Sequence, residues 1–152
     1  MGNLWSYWSS PKSNVDPKPL SFRSKGETEC QRVLEAVFKN QTFKKVRPKF
    51  LINPRTKCRL ELDLYSEQLG LAIEYNGRQH YEYEPRFHRD QQAFIDQVYR
   101  DTIKQKDCPR NNVVLITVPY YVTDIETYLL DELDKYKQFQ KAVDAYKKKH
   151  SK

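Results

Sequence analysis

An α/β fold, with helices flanking a central mixed β-sheet and a long C-terminal helix, follows from three observations. Two apolar runs, LGLAIEY and VVLITVPYY, are too continuous for half-exposed strands and fit strands covered on both faces. Stripes of helical period lie before, between and after these runs. The resulting order is helix, two or three strands, helix, strand, helix, the pattern of one layered α/β unit without internal repeats. At 152 residues the chain has room for one such domain with a modest core plus tails.

Each element has its own local reason. SKGETECQRVLEAVF begins with Ser24, a helix-capping residue, and carries Glu27 three positions on, the spacing of a capping box. Cys30, Val33, Leu34, Val37 and Phe38 then form an apolar stripe. Glu27 stacks with Cys30 and Leu34 on that face, so it is the first-turn acid able to look inward, although capping alone also accounts for it. In TFKKVRPKFLINPRTKCRLELDLY, Pro48 and Pro54 interrupt two short β-type runs, and Asn53-Pro54 marks a turn. Leu60, Leu62 and Leu64 alternate with Glu61, Asp63 and Tyr65, which predicts a strand with one buried face. LGLAIEY is the central strand and ends in Glu74, an acid that is costly to bury unless it is paired or bound to a metal. After the Asn76-Gly77 turn and the aromatic segment QHYEYEPRFH, RDQQAFIDQVYRDTIKQKD reads as a helix with Phe94, Val98 and Ile103 among its apolar positions. Asn111-Asn112 turns into VVLITVPYY. A capping box from Thr123 to Glu126 then starts a long amphipathic helix through Ile125, Tyr128, Leu129, Leu133 and Tyr136.

The ends read differently. Residues 9–23, with three prolines and several serines, read as an extended linker within a flexible leader over 1–23. The start MGNLWS has the Gly2 and Ser6 of an N-myristoylation signal, so lipid anchoring stands beside a plain unstructured leader as the only membrane route. No signal-peptide h-region is visible and no apolar run is long enough to span a bilayer, which leads us to expect an intracellular protein, in cytoplasm or nucleus. The Lys-rich residues 147–152 read as a frayed, solvated basic tail.

The formal charge of +7 is unevenly spread. From Ala36 to Leu60 there are eight Lys or Arg and no acid, whereas from Glu61 to Asp134 acids outnumber bases fifteen to seven. A basic strip beside a carboxylate-rich body suits a protein that holds a polyanion on one surface and a divalent cation on another; a solvated basic face is the plainer alternative. Cys30, Cys58 and Cys108 make no metal-ligand spacing and read as free thiols in a reducing compartment. Asp63 and Glu74 end adjacent strand patterns, and acids so placed can share one metal ion.

Taken together, SKGE, the Asp63 strand, AIEYNGRQHY, the pair Arg100-Asp101 with Lys104 one turn on, and VVLITVPY resemble the PD-(D/E)XK nuclease superfamily. Within it the likeness is to the very-short-patch repair endonucleases and the related EDxHD group of phage homing endonucleases. The similarity runs from Ser24 to Tyr128, and it implies a restriction-endonuclease-like core within a nuclease-like domain over 24–146. It places the group's catalytic positions on Glu27, Asp63, Glu74, His80 and Asp101. It also implies metal holding by Asp63 and Glu74 with Glu27, the metal being Mg2+ with Mn2+ as substitute. The wider superfamily has a lysine where this chain has Asn76; the very-short-patch group lacks it too and uses the histidine. His80 would then exchange a proton with the attacking water or with a metal-bound water, as a histidine can near neutrality, and Asp101 would orient His80 or water from the helix. The zinc-ligand cysteines of the very-short-patch enzymes are absent, so their mismatch recognition is not inherited.

DNA is the implied partner. Lys44, Lys45, Arg47, Lys49, Arg55, Lys57 and Arg59 are expected to meet phosphates without reading sequence, with Lys45, Arg47 and Lys49 forming one row on a strand. Arg78 and Gln79 lie beside the expected cut. Tyr81, Tyr83 and Phe87 either stack on bases or pack around the turn. The expected function is metal-dependent endonucleolytic hydrolysis of DNA, acting on a DNA structure or a repair or recombination intermediate. A homodimer through the long C-terminal helix would serve a junction-resolving variant. The alternative is a non-catalytic DNA-binding or structural protein on a nuclease-derived fold.

Overall fold

In the computed structural model, which describes residues 23–151, the capping signal at Ser24 is used as the sequence predicts. The Ser24 hydroxyl accepts from the Glu27 N–H at 3.1 Å and starts helix α1 (Lys25–Val37). The N-terminal leader, its Gly2 and nearly all of the linker lie outside the described residues. Strands β1 (Lys44–Val46), β2 (Leu62–Ser66) and β3 (Leu71–Asn76) follow, then a 3-10 turn over Arg78–His80. Helix α2 (Gln91–Arg110), strand β4 (Val114–Pro119), helix α3 (Ile125–Asp134) and helix α4 (Lys137–His150) complete the domain.

The four strands form one mixed sheet in the order β1-β2-β3-β4. The first two pairings are antiparallel, and β3 and β4 run parallel in register from Leu71↔Val114 to Asn76↔Pro119. The parallel pair needs a crossover, and α2 supplies it. Helices α1, α3 and α4 cover one face over a core that includes Leu34, Phe43, Ile73, Val118, Leu133 and Phe139. Helix α2 and the segment around Leu51 and Leu60 cover the other face. No helix among the described residues is long and apolar enough to cross a membrane.

Four local readings differ from expectation. The alternation of Leu62 and Leu64 does not put both on one face: the register between β1 and β2 slips by one residue, and Leu62 packs into the α2-side cluster while Leu64 packs under α1. A β-bulge does this, because one extra residue reverses the side-chain alternation beyond it. The expected long C-terminal helix is two helices, interrupted where Tyr136 turns extended (φ −109°, ψ 115°), with the Gln140 amide donating to the freed Asp134 carbonyl at 2.8 Å. Residues expected as a frayed tail continue α4 to His150. The cap of α3 is Asp124, which accepts from the Thr127 N–H at 3.0 Å, in place of Thr123.

The apolar side of α4, with Phe139, Val143 and Tyr146, is buried in the chain's own core. A dimer through α4 would therefore have to use its exposed, lysine-bearing side. Cys30 and Cys108 are buried free thiols whose pKa values burial pushes up to about 12 and about 11, which keeps them protonated and unreactive. Cys58 is free and half-buried.

Candidate active site

The antiparallel pairing of β2 with β3 stops at Leu64↔Ile73, and beyond it the two strands part. In the gap the Asp63 carboxylate takes over the role of backbone: its Oδ2 accepts from the Tyr75 N–H at 3.2 Å. This holds Asp63 against β3 beside Glu74, close enough for its charge to act on the Glu74 carboxyl. Glu74 is 4% exposed, and its Oε1 is buried without a partner. Its other oxygen accepts from the Lys104 ammonium of α2 at 3.1 Å.

Burial is the main force raising the Glu74 pKa to about 8; Lys104 opposes the rise and Asp63 adds to it. Burial also works against the charge on Lys104, but Glu74, Asp63 and Asp101 outweigh it and hold the amine above its ordinary pKa. Two positions along β3 from Glu74, Asn76 is 7% exposed, and its Oδ1 is likewise buried without a partner. Glu74, Asn76, Asp101, Lys104 and Thr117 line a crevice of about 10 Å³, the size of one water.

His80 and Asp101 come together as expected, with Nδ1 of the ring 2.8 Å from Asp101 Oδ2. A carboxylate only accepts, so in this contact Nδ1 is the donor. The Gln97 amide donates to Asp101 Oδ1 at 3.2 Å and fixes the carboxylate in turn. Glu84 and His88 form a separate local contact, the Glu84 N–H donating to His88 Nδ1 at 3.0 Å.

Two expectations change. Glu27 does not join Asp63 and Glu74 directly, because the Lys45 ammonium lies between: it is 3.1 Å from Glu27 and 3.7 Å from both Asp63 and Glu61. Lys45 is only 8% exposed, so it belongs to the carboxylate cluster and not to an outer phosphate-binding row. The strand is three residues long and turns Lys45 toward α1 while Lys44 stays outside. Arg47 is half-buried and pairs with Glu61 at 3.2 Å. The remaining cations are exposed: Lys44, Lys49 and Arg59 line, with Arg47, an open groove of about 790 Å³ along the β1 edge. Arg55 lies over the Tyr99 ring at 3.8 Å, and Lys57 sits in the same loop. Arg78 is exposed and Gln79 half-buried beside the site.

Sequence reading missed Lys104 and Lys45 as members of the cluster. The signal for Lys104 was present, since Asp101 and Lys104 fall one turn apart and share a helix face. For Lys45 no local signal exists, because its partners come from two distant segments, Glu27 on α1 and Glu61 with Asp63 at the start of β2.

Among the described residues no three His, Cys, Asp or Glu side chains converge on one metal position. The oxygen set nevertheless fits a hard cation. Mg2+ commonly takes one or two protein carboxylates and completes its shell with water and substrate phosphate. Asp63 beside Glu74, with an orphaned buried oxygen, offers such a pair.

Fold and site together define a class: an α/β protein with a four-stranded mixed sheet that opens at one end over a cluster of carboxylates and lysines. No family model matches the chain, and no solved structure matches it. It is 43% identical over 150 residues to Uncharacterized protein 307L of Invertebrate iridescent virus 6, covering 82% of this chain and 76% of that protein. It is 46% identical over 107 residues to Uncharacterized protein 094L of Frog virus 3 (isolate Goorha), covering 70% and 68%. Uncharacterized protein 033L of Invertebrate iridescent virus 3 is 46% identical over 112 residues, of which this chain spans 57% of the length. The chain belongs to the family of these iridescent-virus and frog-virus proteins.

Proposed function

We propose that this protein is a metal-dependent DNA endonuclease with a restriction-endonuclease-like core. The observation that carries the reading is the meeting of Asp63 and Glu74 at the parted end of β2 and β3, with Glu74 Oε1 buried and unpartnered. A buried carboxylate oxygen left without a partner beside a second carboxylate calls for a cation or a proton. Asp63 and Glu74 would hold Mg2+, which when bound offsets charge on the scissile phosphate and acidifies water.

The chain's own groups do the rest. Asp101 fixes the His80 tautomer, which leaves Nε2 free to take a proton from the attacking water and to return it later. Gln97 locks Asp101 and so keeps the ring from rotating. Lys104 limits the cost of burying Glu74, and Lys45 limits the repulsion among Glu27, Glu61 and Asp63. The exposed cations along the β1 edge supply phosphate contacts that position the duplex.

One observation favours a second reading. Both Asp63 and Glu74 already have a lysine in reach, so the cluster is also explicable as a structural ion-pair network under a non-catalytic DNA-binding protein. Incubating the purified protein with linear, nicked, mismatched and four-way junction DNA in Mg2+ or Mn2+ separates the two. Cleavage that Asp63→Ala abolishes while DNA binding survives supports the enzyme. Binding without cleavage of any substrate in either metal supports the structural reading.

A further inference from the structure

Beside His80 the surface carries a cluster of aromatic rings that the catalytic reading does not use. Tyr81 follows the 3-10 turn, and Tyr120 and Tyr121 follow β4. The Tyr81 ring lies 5.9 Å from Tyr120 and 6.2 Å from Tyr121, and the last two are 5.5 Å apart. Chain geometry fixes them there: the Tyr120 N–H donates to the Asn76 carbonyl at 2.8 Å, tying the end of β4 to the end of β3. Tyr121 is 66% exposed and Tyr81 43%, so the rings form one exposed aromatic patch and not scattered single side chains. The Arg78 guanidinium lies 5.8 Å over the Tyr120 ring and is itself exposed.

We propose that Tyr81, Tyr120, Tyr121 and Arg78 form a stacking ledge for an unpaired DNA base, so that the substrate is DNA with unpaired nucleotides next to the cut. The inference rests on the nuclease reading for the identity of the polymer. Three rings contribute π faces, and the guanidinium adds both a stacking plane and a phosphate contact; single-strand binding surfaces combine these elements. A fully paired duplex keeps its bases stacked inside and offers the ledge only its backbone. DNA with a gap, flap or branch presents a free base face. The ledge adjoins His80 in sequence, so a base held there belongs to a nucleotide close to the phosphate that His80 would serve.

The test is binding alone, in EDTA, so that it is independent of cleavage. Fluorescence anisotropy is read on a blunt duplex and on the same duplex with a short single-stranded gap, for the full chain, Tyr121→Ala and Tyr121→Phe. The full chain is expected to prefer the gapped DNA. Tyr121→Ala should lose about five- to 150-fold on gapped DNA, the effect of removing one base–aromatic stack, and keep the duplex affinity. Tyr121→Phe retains the ring and should bind as the parent does. Equal affinity of the full chain for both DNAs, no binding to either, or an equal loss on both in Tyr121→Ala would overturn the proposal. Absence of cleavage in every metal, with the gap preference intact, would instead remove the nuclease reading and leave the ledge.

Discussion

Replacing Glu74 by Gln gives a sharp test of the electrostatics at the parted strands. Glutamine keeps the shape of the side chain and cannot titrate. The Glu74 carboxyl, raised by burial from 4.5 to about 8, binds a proton more tightly in the folded chain than in the unfolded one. Its contribution to stability is therefore fully present below pH 4.5, declines as pH rises, and is lost once pH passes about 8. The decline amounts to about 1.4 kcal/mol per pH unit, or about 4 kcal/mol between about pH 5 and about pH 8. Urea unfolding of both proteins in EDTA across this range reads the effect directly. The parent should lose stability relative to Glu74→Gln as pH rises, a large fraction of the about 5–15 kcal/mol that holds an ordinary domain together. Stability curves of parent and variant that run parallel over the whole range would refute the assignment of a buried, protonated Glu74.

Other expected outcomes follow from the same structure. A methyl group at Gly26 would run into the Tyr75 ring across the α1–β3 contact, so Gly26→Ala should destabilise by about 1–3 kcal/mol in chemical denaturation, more than helix propensity could offset. Leu133, on the inner face of α3, is fully buried, and Leu133→Ala should cost about 2–5 kcal/mol in the same experiment. Asp101→Ala leaves His80 without its tautomer partner; cleavage should fall by about 100- to 10,000-fold while DNA affinity is retained, as single-turnover rates and anisotropy would show.

The parts of the fold that were legible in the sequence are those fixed by short-range chemistry. Ser24 with Glu27 announced α1, the unbroken apolar runs announced β3 and β4, and Asn111-Asn112 marked a turn in which Asn112 adopts a left-handed φ of 57°. The resemblance offered His80 or water as what Asp101 orients, and the two side chains meet at 2.8 Å. What escaped reading depends on contacts between distant segments. The bulge in β2 leaves no mark in LELDLY, because alternation looks the same with or without an extra residue in the pairing. The break between α3 and α4 falls at DKYKQ, which contains neither Gly nor Pro, and Tyr136 leaves the helix because tertiary packing outweighs propensity. Lys45 read as part of an exposed basic row because sequence alternation cannot reveal that Glu27, Glu61 and Asp63 converge on it. The same convergence took Glu27 away from the expected metal pair.

The central claim is that Asp63 and Glu74 make a cation-dependent cleaving site, and one measurement bears on it most directly. Cleavage of gapped and branched DNA is followed in Mg2+ for the parent and for Asp63→Asn. Asparagine can still accept from the Tyr75 N–H, so the fold is kept while the negative charge is removed. The expected result is strand cleavage by the parent that EDTA stops and Asp63→Asn abolishes, with DNA binding intact in the variant. Cleavage by Asp63→Asn at the parental rate, or intact DNA with the parent in both Mg2+ and Mn2+, would contradict the account.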